Sequence, residues 1–138
     1  MLYILSSHTF NASGRAYPDI SAMGHNYGVY FGQLGGTGFW IPTDGTSAST
    51  PVVAGIFALM KSKLGKRLGH VAPMLYNISD SGAKNVFHDI ISGSNVCKST
   101  CCGKTTGFYA SNGYDAVTGL GTVDVQELLK VMTSKIFK

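Results

Sequence analysis

The stretch "DGTSASTP" (44–51) places three small hydroxyl side chains, those of Thr46, Ser47 and Ser49, at the start of a long apolar run. A serine at the N-terminus of a helix can act as a nucleophile, because free N–H groups there stabilise the oxyanion that forms on an attacked carbonyl. Gly45 permits a sharp turn before these residues. The competing interpretation is ordinary N-capping of a core helix by serine or threonine, which the spacing alone favours.

The segment "GTSASTPVVAGI" (45–56) resembles the nucleophile motif that subtilisins share with sedolisins, the serine-carboxyl peptidases. Subtilisins usually carry a histidine directly after the proline of this motif, whereas Val52 follows the sedolisin habit. Three further segments resemble sedolisin motifs and occur in the family's order: "GRAYPDISA" (14–22), "FHDIISGSN" (87–95) and "ASNGYDAVTGLGT" (110–122). The resemblance covers most of the chain, leans toward the tripeptidyl peptidase branch, and implies an α/β, subtilisin-like fold with a mainly parallel sheet.

By this resemblance Ser47 is the nucleophile of a serine-type peptidase, and its own N–H forms half of the oxyanion hole. Thr46 and Ser49 are implied as supporting residues. One departure from the family pattern is Asp44, which stands where sedolisins usually have a small serine or glycine. A carboxylate so close to the nucleophile either disturbs the oxyanion or points to solvent.

The acidic partners of a sedolisin nucleophile are absent from these 138 residues. The family uses a glutamate as base, with an aspartate four residues later and a further oxyanion-hole aspartate, all before the serine. A carboxylate can still accept a proton at about pH 4, where an imidazole is already protonated. Glu127 is the only glutamate here, and Val131 lies four residues after it. None of the four histidines fits a family position, so a Ser–His mechanism is disfavoured.

We therefore expect residues 1–138 to be the C-terminal part of a catalytic domain, beginning at Met1 by truncation or gene-model error. It comprises a nucleophile segment (43–63), a calcium-loop segment (86–121) and a closing helix (124–136). Such a fragment is expected to be inactive alone, with peptides or proteins as substrates of the full-length enzyme, a tripeptidyl peptidase or endopeptidase. The alternative is a non-catalytic calcium-binding module of a lumen or the extracellular space.

Asp89 and Asp115 lie at the two ends of a long segment rich in glycine and serine. Ca²⁺ takes six to eight oxygen ligands, which carboxylates and the carbonyls of a flexible loop can supply. Without the resemblance, two unrelated surface aspartates would be the simpler interpretation. The resemblance implies one Ca²⁺ ion, bound by the side chains of both aspartates and by three main-chain carbonyls, those of Ile90, Ser111 and Gly113.

Composition excludes several other classes of protein. The net charge of +4 comes from scattered basic residues, and the small cluster at 61–67 fits a solvated helix end better than a nucleic-acid surface. No apolar run reaches the roughly 18 residues of a membrane span, and residues 1–5 lack the features of a signal peptide.

Two N-glycosylation sequons, at Asn11 and Asn77, and three clustered cysteines point weakly to an oxidising compartment. The cysteines are Cys97, Cys101 and Cys102, which form at most one disulfide among themselves. The full-length protein is therefore expected in the lysosomal or vacuolar lumen, or secreted.

Hydrophobic patterns alternate between strand and helix along the chain, which favours an α/β fold. Strands are predicted at 17–23, 27–31 and 86–90, a loop at 32–40, and helices at 46–63, 72–78 and 124–136. Pro51 is expected in the first turns of its helix, where a missing N–H costs little. The run "VVAGIFALM" is apolar on all sides, which suits a helix buried inside a larger domain. Asp124 and Glu127 form a predicted capping box for the last helix.

Overall fold

The computed structural model describes residues 10–11, 13–32, 35–96 and 107–134. The chain divides into two compact units. The first, here named the serine unit, spans Ala22–Gly69 and contains Ser47. The second, the aspartate unit, contains the described residues before Ala22 and after Gly69, including both predicted calcium-binding aspartates.

The serine unit opens with an antiparallel hairpin of β1 (Tyr27–Phe31) and β2 (Phe39–Thr43). The prediction of a strand at 27–31 is confirmed. Aromatic rings account for the pairing, because Tyr30 and Trp40 lie opposite each other with ring centroids 5.4 Å apart. The loop predicted at 32–40 is therefore too long, since its last two residues belong to β2.

The helix predicted at 46–63 is confirmed as α1 (Thr46–Leu64). It ends at Gly65, which adopts a left-handed conformation (φ 63°) and donates its N–H to the carbonyls of Lys61 and Ser62. This glycine cap satisfies carbonyl groups that have no partner within the helix. The helix therefore has a well-defined C-terminus, whereas its N-terminus is uncapped by any side chain of the described residues.

The apolar run of α1 is not buried within the described part of the chain. Met60 is the helix's only fully buried side chain there, while Leu59 remains 68% exposed and Val52 40% exposed. A helix that is apolar on all sides needs neighbours on all sides, and these residues do not provide them. No described helix is long and apolar enough to cross a membrane.

The aspartate unit contains α2 (Ala72–Asp80), β3 (Phe87–His88), β4 (Thr122–Val123) and α3 (Val125–Thr133). The helix predicted at 72–78 is confirmed and continues to Asp80. Its buried apolar side chains recur every three residues, so they lie on one face of the helix. The buried core of the unit comprises Ala72, Leu75, Ile78, Val86, Leu128 and Met132. Each of the larger side chains contributes about 1.5–3 kcal/mol through burial.

The described strands do not form the predicted mainly parallel sheet. Both two-stranded sheets are antiparallel, and the only parallel pairing among the described residues is a single bridge between Ser21 and Thr122. The predicted strand 17–23 is reduced to that bridge, because Pro18 has no N–H to donate and Asp19 bonds to a loop. The strand predicted at 86–90 is likewise reduced to Phe87–His88.

The last helix begins one residue after Asp124, whose carboxylate accepts the N–H groups of Gln126 and Glu127, each at 2.9 Å. Only half of the predicted capping box forms. The N–H of Asp124 donates to the carbonyl of Val86 instead, and Glu127 pairs with Lys130 at 2.7 Å. The described helix ends at Thr133, three residues before the predicted end, and residues 135–138 lie outside the described ranges.

Asp19, from the "YPD" motif, is the central hydrogen-bond acceptor of the aspartate unit. Its carboxylate pairs with Arg15 and accepts the Tyr76 hydroxyl at 2.8 Å, and its main-chain carbonyl accepts the N–H of Leu120 at 2.9 Å. Burial, helped by the bond to Asp19, raises the pKa of Tyr76 to about 12, so the phenol stays a donor. Asp19 thereby links residues 15–21 to α2 and to the loop before β4.

Gly119 is required where that loop crosses Asp19. It has φ 64°, and a Cβ atom there would lie 2.3 Å from the carbonyl oxygen of Asp19. We predict that Gly119→Ala destabilises the fold by roughly 2–4 kcal/mol, because a backbone atom would have to move and the left-handed conformation is strained. Urea unfolding measures the change.

The matched control is Gly82→Ala. Gly82 has φ 72°, but a methyl group at this position would meet no atom within 4 Å beyond its chain neighbours. The substitution should therefore cost only the free energy of placing an alanine in the left-handed conformation, about 1 kcal/mol. Equal losses at the two positions would contradict the close contact at Asp19.

Candidate functional site

Ser47 is the second residue of α1 and is exposed. The N-cap residue Gly45 has φ 143° and ψ 159°, a conformation open essentially only to glycine, and it has no side chain to bond the first turn. Ala48 donates its N–H to the Gly45 carbonyl at 3.0 Å, whereas no acceptor among the described residues takes the N–H of Ser47. The helix therefore begins with a main-chain donor available at the predicted nucleophile.

The hydroxyl groups near Ser47 are not equivalent. Ser49 and Thr50 both donate their hydroxyls to the carbonyl of Thr46, at 3.2 and 2.7 Å. Within the described part of the chain, the Ser47 hydroxyl has no such partner. Of the serines in the motif, Ser47 is thus the one whose hydroxyl remains available for chemistry.

Pro51 is the sixth residue of α1 and lies in the first turns of the helix, as predicted. Its missing N–H would have bonded to the carbonyl four residues earlier, which belongs to Ser47. Only the first four N–H groups of a helix lack an intrahelical partner, so Pro51 removes one main-chain hydrogen bond from α1. The turn that carries the predicted nucleophile is held by fewer main-chain hydrogen bonds than the rest of the helix.

The structure shows where the Asp44 side chain points. Its Oδ1 atom accepts the N–H of Asn26 at 2.6 Å and lies 2.8 Å from Nδ1 of His25. The bond from Asn26, followed by the interaction with His25, holds the pKa of Asp44 below its ordinary value. The side chain is 62% exposed and does not cap α1. Of the two alternatives left open by the sequence, solvent exposure is the one observed.

His25 is a residue of this region that the sequence motifs do not identify. It is 19 positions from Asp44, and no family motif includes it, so neither spacing nor resemblance predicts the pair. The only signal in the sequence is the unusual carboxylate at 44, which needs a partner if it is to lie beside a helix N-terminus without capping it.

In the aspartate unit, Asp115 is 4% exposed and is held by main-chain donors. Oδ1 accepts the N–H groups of Val117 and Thr118, each at 2.9 Å, and also the Thr118 hydroxyl at 3.2 Å. Oδ2 accepts the N–H of Ser111 at 2.9 Å. Burial by itself raises the pKa of Asp115, but these four bonds outweigh it, and the net pKa lies below the ordinary value.

Asp89, which is exposed, reaches the same loop from the end of β3 and accepts the N–H of Gly113 at 2.7 Å. The structure thus brings four of the five predicted calcium ligands to one loop, with Ile90 next to Asp89 in the chain. The contacts seen are bonds from N–H groups to carboxylates, not carbonyl contacts. Among the described residues, no three or more His, Cys, Asp or Glu side chains are grouped to hold a metal.

The donor chemistry of this loop nevertheless fits a hard cation. The side chains of Asp89 and Asp115, which both bond to the loop, are carboxylates, and the remaining predicted ligands are carbonyl oxygens, which is the ligand set Ca²⁺ prefers. Asp115 is buried, and hydrogen bonds from the loop itself fix the orientation of its carboxylate. The cysteines at 97, 101 and 102 lie outside the described residues.

Comparison with known proteins agrees with the motifs. The sequence matches the Subtilase family over residues 1–81. It is 43% identical to physarolisin of Physarum polycephalum over 124 residues, which are 87% of this chain and 20% of that protein. It is 38% identical to tripeptidyl-peptidase 1 of Dictyostelium discoideum over 128 residues and to that of Homo sapiens over 134, which are 20% and 22% of those proteins.

The chain therefore belongs to the Subtilase family of serine peptidases. Within it, the resemblance to sedolisins and to their tripeptidyl peptidase branch, predicted from the motifs, is confirmed by these relatives. The chain spans about a fifth of the length of the curated relatives it matches.

The bonds around Asp115 predict a specific pH dependence of stability. Because the pKa of Asp115 is lowered by folding, its contribution is fully present above the unfolded value, about 3.9, and is lost as pH falls through the lower folded value. We predict that Asp115→Asn costs roughly 1–3 kcal/mol at neutral pH, because an amide NH₂ group would face a donor. The variant should also lose less stability than the parent on acidification.

Thermal unfolding between pH 2 and 7 measures both effects. Asp80→Asn is the control, since Asp80 is exposed at the end of α2 and, among the described residues, makes no side-chain hydrogen bond. If the unfolding temperatures of the parent and of Asp115→Asn changed with pH in parallel, the ionised Asp115 carboxylate would not be the source of this pH dependence.

Proposed function

We propose that this chain is the nucleophile-bearing part of a serine-type acid peptidase, with Ser47 as its nucleophile. The observation that carries the proposal is the start of α1, where Gly45 leaves the Ser47 N–H uncapped beside a Ser47 hydroxyl that bonds to no described residue. A structural N-cap serine would place its oxygen on the first-turn N–H groups, and Ser47 does not occupy that position. Membership of the Subtilase family supports the same assignment.

The proposed reaction is an acyl transfer. Ser47 Oγ attacks the scissile carbonyl while a carboxylate base, contributed by polypeptide outside these residues, takes the hydroxyl proton. The oxyanion accepts a hydrogen bond from the Ser47 N–H and from a donor outside this chain. The proton then passes to the leaving amine, and water hydrolyses the acyl-enzyme by the same steps in reverse order.

The substrates are proposed to be peptides or proteins in an acidic lumen, lysosomal or vacuolar, or in a secreted fluid. The name tripeptidyl-peptidase 1, carried by relatives at 37–38% identity, favours release of tripeptides from N-termini over internal cleavage. The second candidate is a non-catalytic, calcium-binding module derived from such a peptidase, and the loop to which Asp89 and Asp115 bond is the observation that supports it.

We also propose that the loop of the aspartate unit binds one Ca²⁺ ion. The carboxylates of Asp89 and Asp115 would supply its charged ligands, and the carbonyls of Ile90, Ser111 and Gly113 the others. When bound, the ion would neutralise the two carboxylates and brace the loop. Support comes from the convergence of both aspartates on residues 111–118.

We predict that Ser47→Ala, introduced into the complete polypeptide that contains these residues, lowers kcat for peptide cleavage at acidic pH by at least about 10³-fold. The reason is that the hydroxyls of Ser49 and Thr50 are bonded to the main chain, and the family resemblance implies only a supporting role for Thr46. Hydrolysis of a fluorogenic peptide with a free N-terminus, followed between pH 3 and 5, is the assay.

Ser62→Ala provides the matched control, because Ser62 is an exposed serine near the other end of the same helix. Full activity in Ser47→Ala would show that Ser47 is not the nucleophile. A complete polypeptide that folds, binds Ca²⁺ and cleaves no peptide would establish the non-catalytic module instead.

For the metal, we predict that Ca²⁺ raises the unfolding temperature, with about 2.7 kcal/mol of added stability at a hundredfold excess over Kd. Asp89→Asn should abolish the shift, since it removes a charged ligand without touching the buried core. Asp80→Asn, the exposed carboxylate control, should leave the shift unchanged. An equal Ca²⁺ shift in Asp89→Asn and the parent would contradict the site.

A further inference from the structure

The loop formed by residues 24–26 lies directly against the start of α1. Gly45 donates its N–H to the carbonyl of Gly24 at 2.7 Å. A Cβ atom at Gly24 would stand 3.2 Å from the Gly45 carbonyl oxygen and 3.6 Å from the Ser49 hydroxyl. The loop is therefore packed tightly on the N-cap of the helix that carries Ser47, and His25 follows immediately.

Two donors of this loop converge on one oxygen atom of Asp44. The N–H of Asn26, a residue in the left-handed conformation (φ 61°), reaches Oδ1 at 2.6 Å, and Nδ1 of His25 lies 2.8 Å from the same atom. His25 is 83% exposed, so burial does not explain the position of its ring. Its interaction with Asp44 is the contact that fixes the imidazole among the described residues.

A carboxylate at position 44 creates a problem for a helix start that must receive an oxyanion. It lies one residue before the N-cap, where the uncapped N–H groups and the helix dipole attract negative charge. If the carboxylate turned onto those N–H groups, it would occupy the donors that the oxyanion needs. Even without contact, its charge would oppose the negative charge that develops on the substrate.

We propose that His25 is a positioning residue for the nucleophile: it holds the Asp44 carboxylate on the 24–26 loop and offsets its charge, leaving the Ser47 N–H free for the oxyanion. This inference rests on the proposed function of Ser47. It explains why a carboxylate is tolerated where related peptidases usually have a small side chain, since Asp44 and His25 form a mutually dependent pair.

The test is a double-mutant cycle in the complete polypeptide, with kcat and KM measured separately at acidic pH. His25→Ala should lower kcat about fivefold to tenfold with KM unchanged, a size typical of a charge at a helix terminus. In an Asp44→Ser background the same change should have no effect, because the carboxylate that His25 controls is gone. His25→Lys, which supplies a cationic donor at this position, should recover part of the loss.

His70→Ala is the control for loss of an exposed histidine elsewhere in the chain. The affinity of a peptide aldehyde, whose hemiacetal oxygen mimics the oxyanion, should fall in parallel with kcat in His25→Ala only while Asp44 is present. A purely structural role for His25 would instead give the same loss with and without the carboxylate, and that result would overturn the inference.

The outcomes separate this inference from the proposed function. Activity that persists in Ser47→Ala contradicts both the proposed role of Ser47 as nucleophile and this inference, which rests on it. If activity depends on Ser47 but the effects of substitutions at positions 25 and 44 on kcat are independent, only this inference is contradicted. If His25→Ala fails to fold, the comparison of His25→Gln with His25→Lys decides, because only the lysine supplies the offsetting charge.

Discussion

The start of α1 at a residue without a side chain is the constraint on which the interpretation of this protein depends. Helix N-cap positions strongly prefer serine, threonine, asparagine or aspartate, whose side chains accept hydrogen bonds from the first free N–H groups. Here Gly45 holds a backbone conformation that other residues avoid, and the N–H of Ser47 is left without an acceptor among the described residues. The helix therefore lacks a stabilising side-chain cap at the point where a reacting carbonyl would need hydrogen-bond donors.

Four aspartates of this chain share one structural role, which is to accept main-chain N–H groups of neighbouring loops and turns. Asp44 accepts that of Asn26 and Asp89 that of Gly113, while Asp115 accepts three and Asp124 two. Such bonds stabilise the ionised carboxylate, and the pKa values of Asp44, Asp115 and Asp124 are lowered accordingly. Loops organised in this way keep their charges, and hence their hydrogen bonds, in a mildly acidic medium.

Local signals in the sequence predicted most of the helices. They did not predict the sheet pairings, which depend on contacts between distant parts of the chain. The apolar patterns indicated α1 and α2 closely, because those signals lie within the elements themselves. The strand at 17–23 failed because Pro18 and Asp19 commit that segment to a loop contact with residue 120, which no local pattern reveals. The sheet pairings are likewise long-range, and the described strands pair antiparallel.

The candidate site was predictable where it is a contiguous motif and unpredictable where it depends on distant contacts. Ser47 and the aspartate loop were predicted from motifs that resemble sedolisins. The structure places Asp89 in hydrogen-bond contact with the loop of Asp115, and the roles of these residues stay predictions. The partner of Asp44 was not identified, because His25 lies on a separate loop that only the folded chain brings to the helix start.

The central claim, that the amide at the start of α1 receives an oxyanion formed at Ser47, is tested most directly by a crystal structure with a peptide aldehyde. The complete polypeptide should show continuous electron density from Ser47 Oγ to the aldehyde carbon, with the hemiacetal oxygen within about 3.1 Å of the Ser47 nitrogen. An aldehyde bonded to another residue, or a hemiacetal oxygen turned away from that nitrogen, would contradict it.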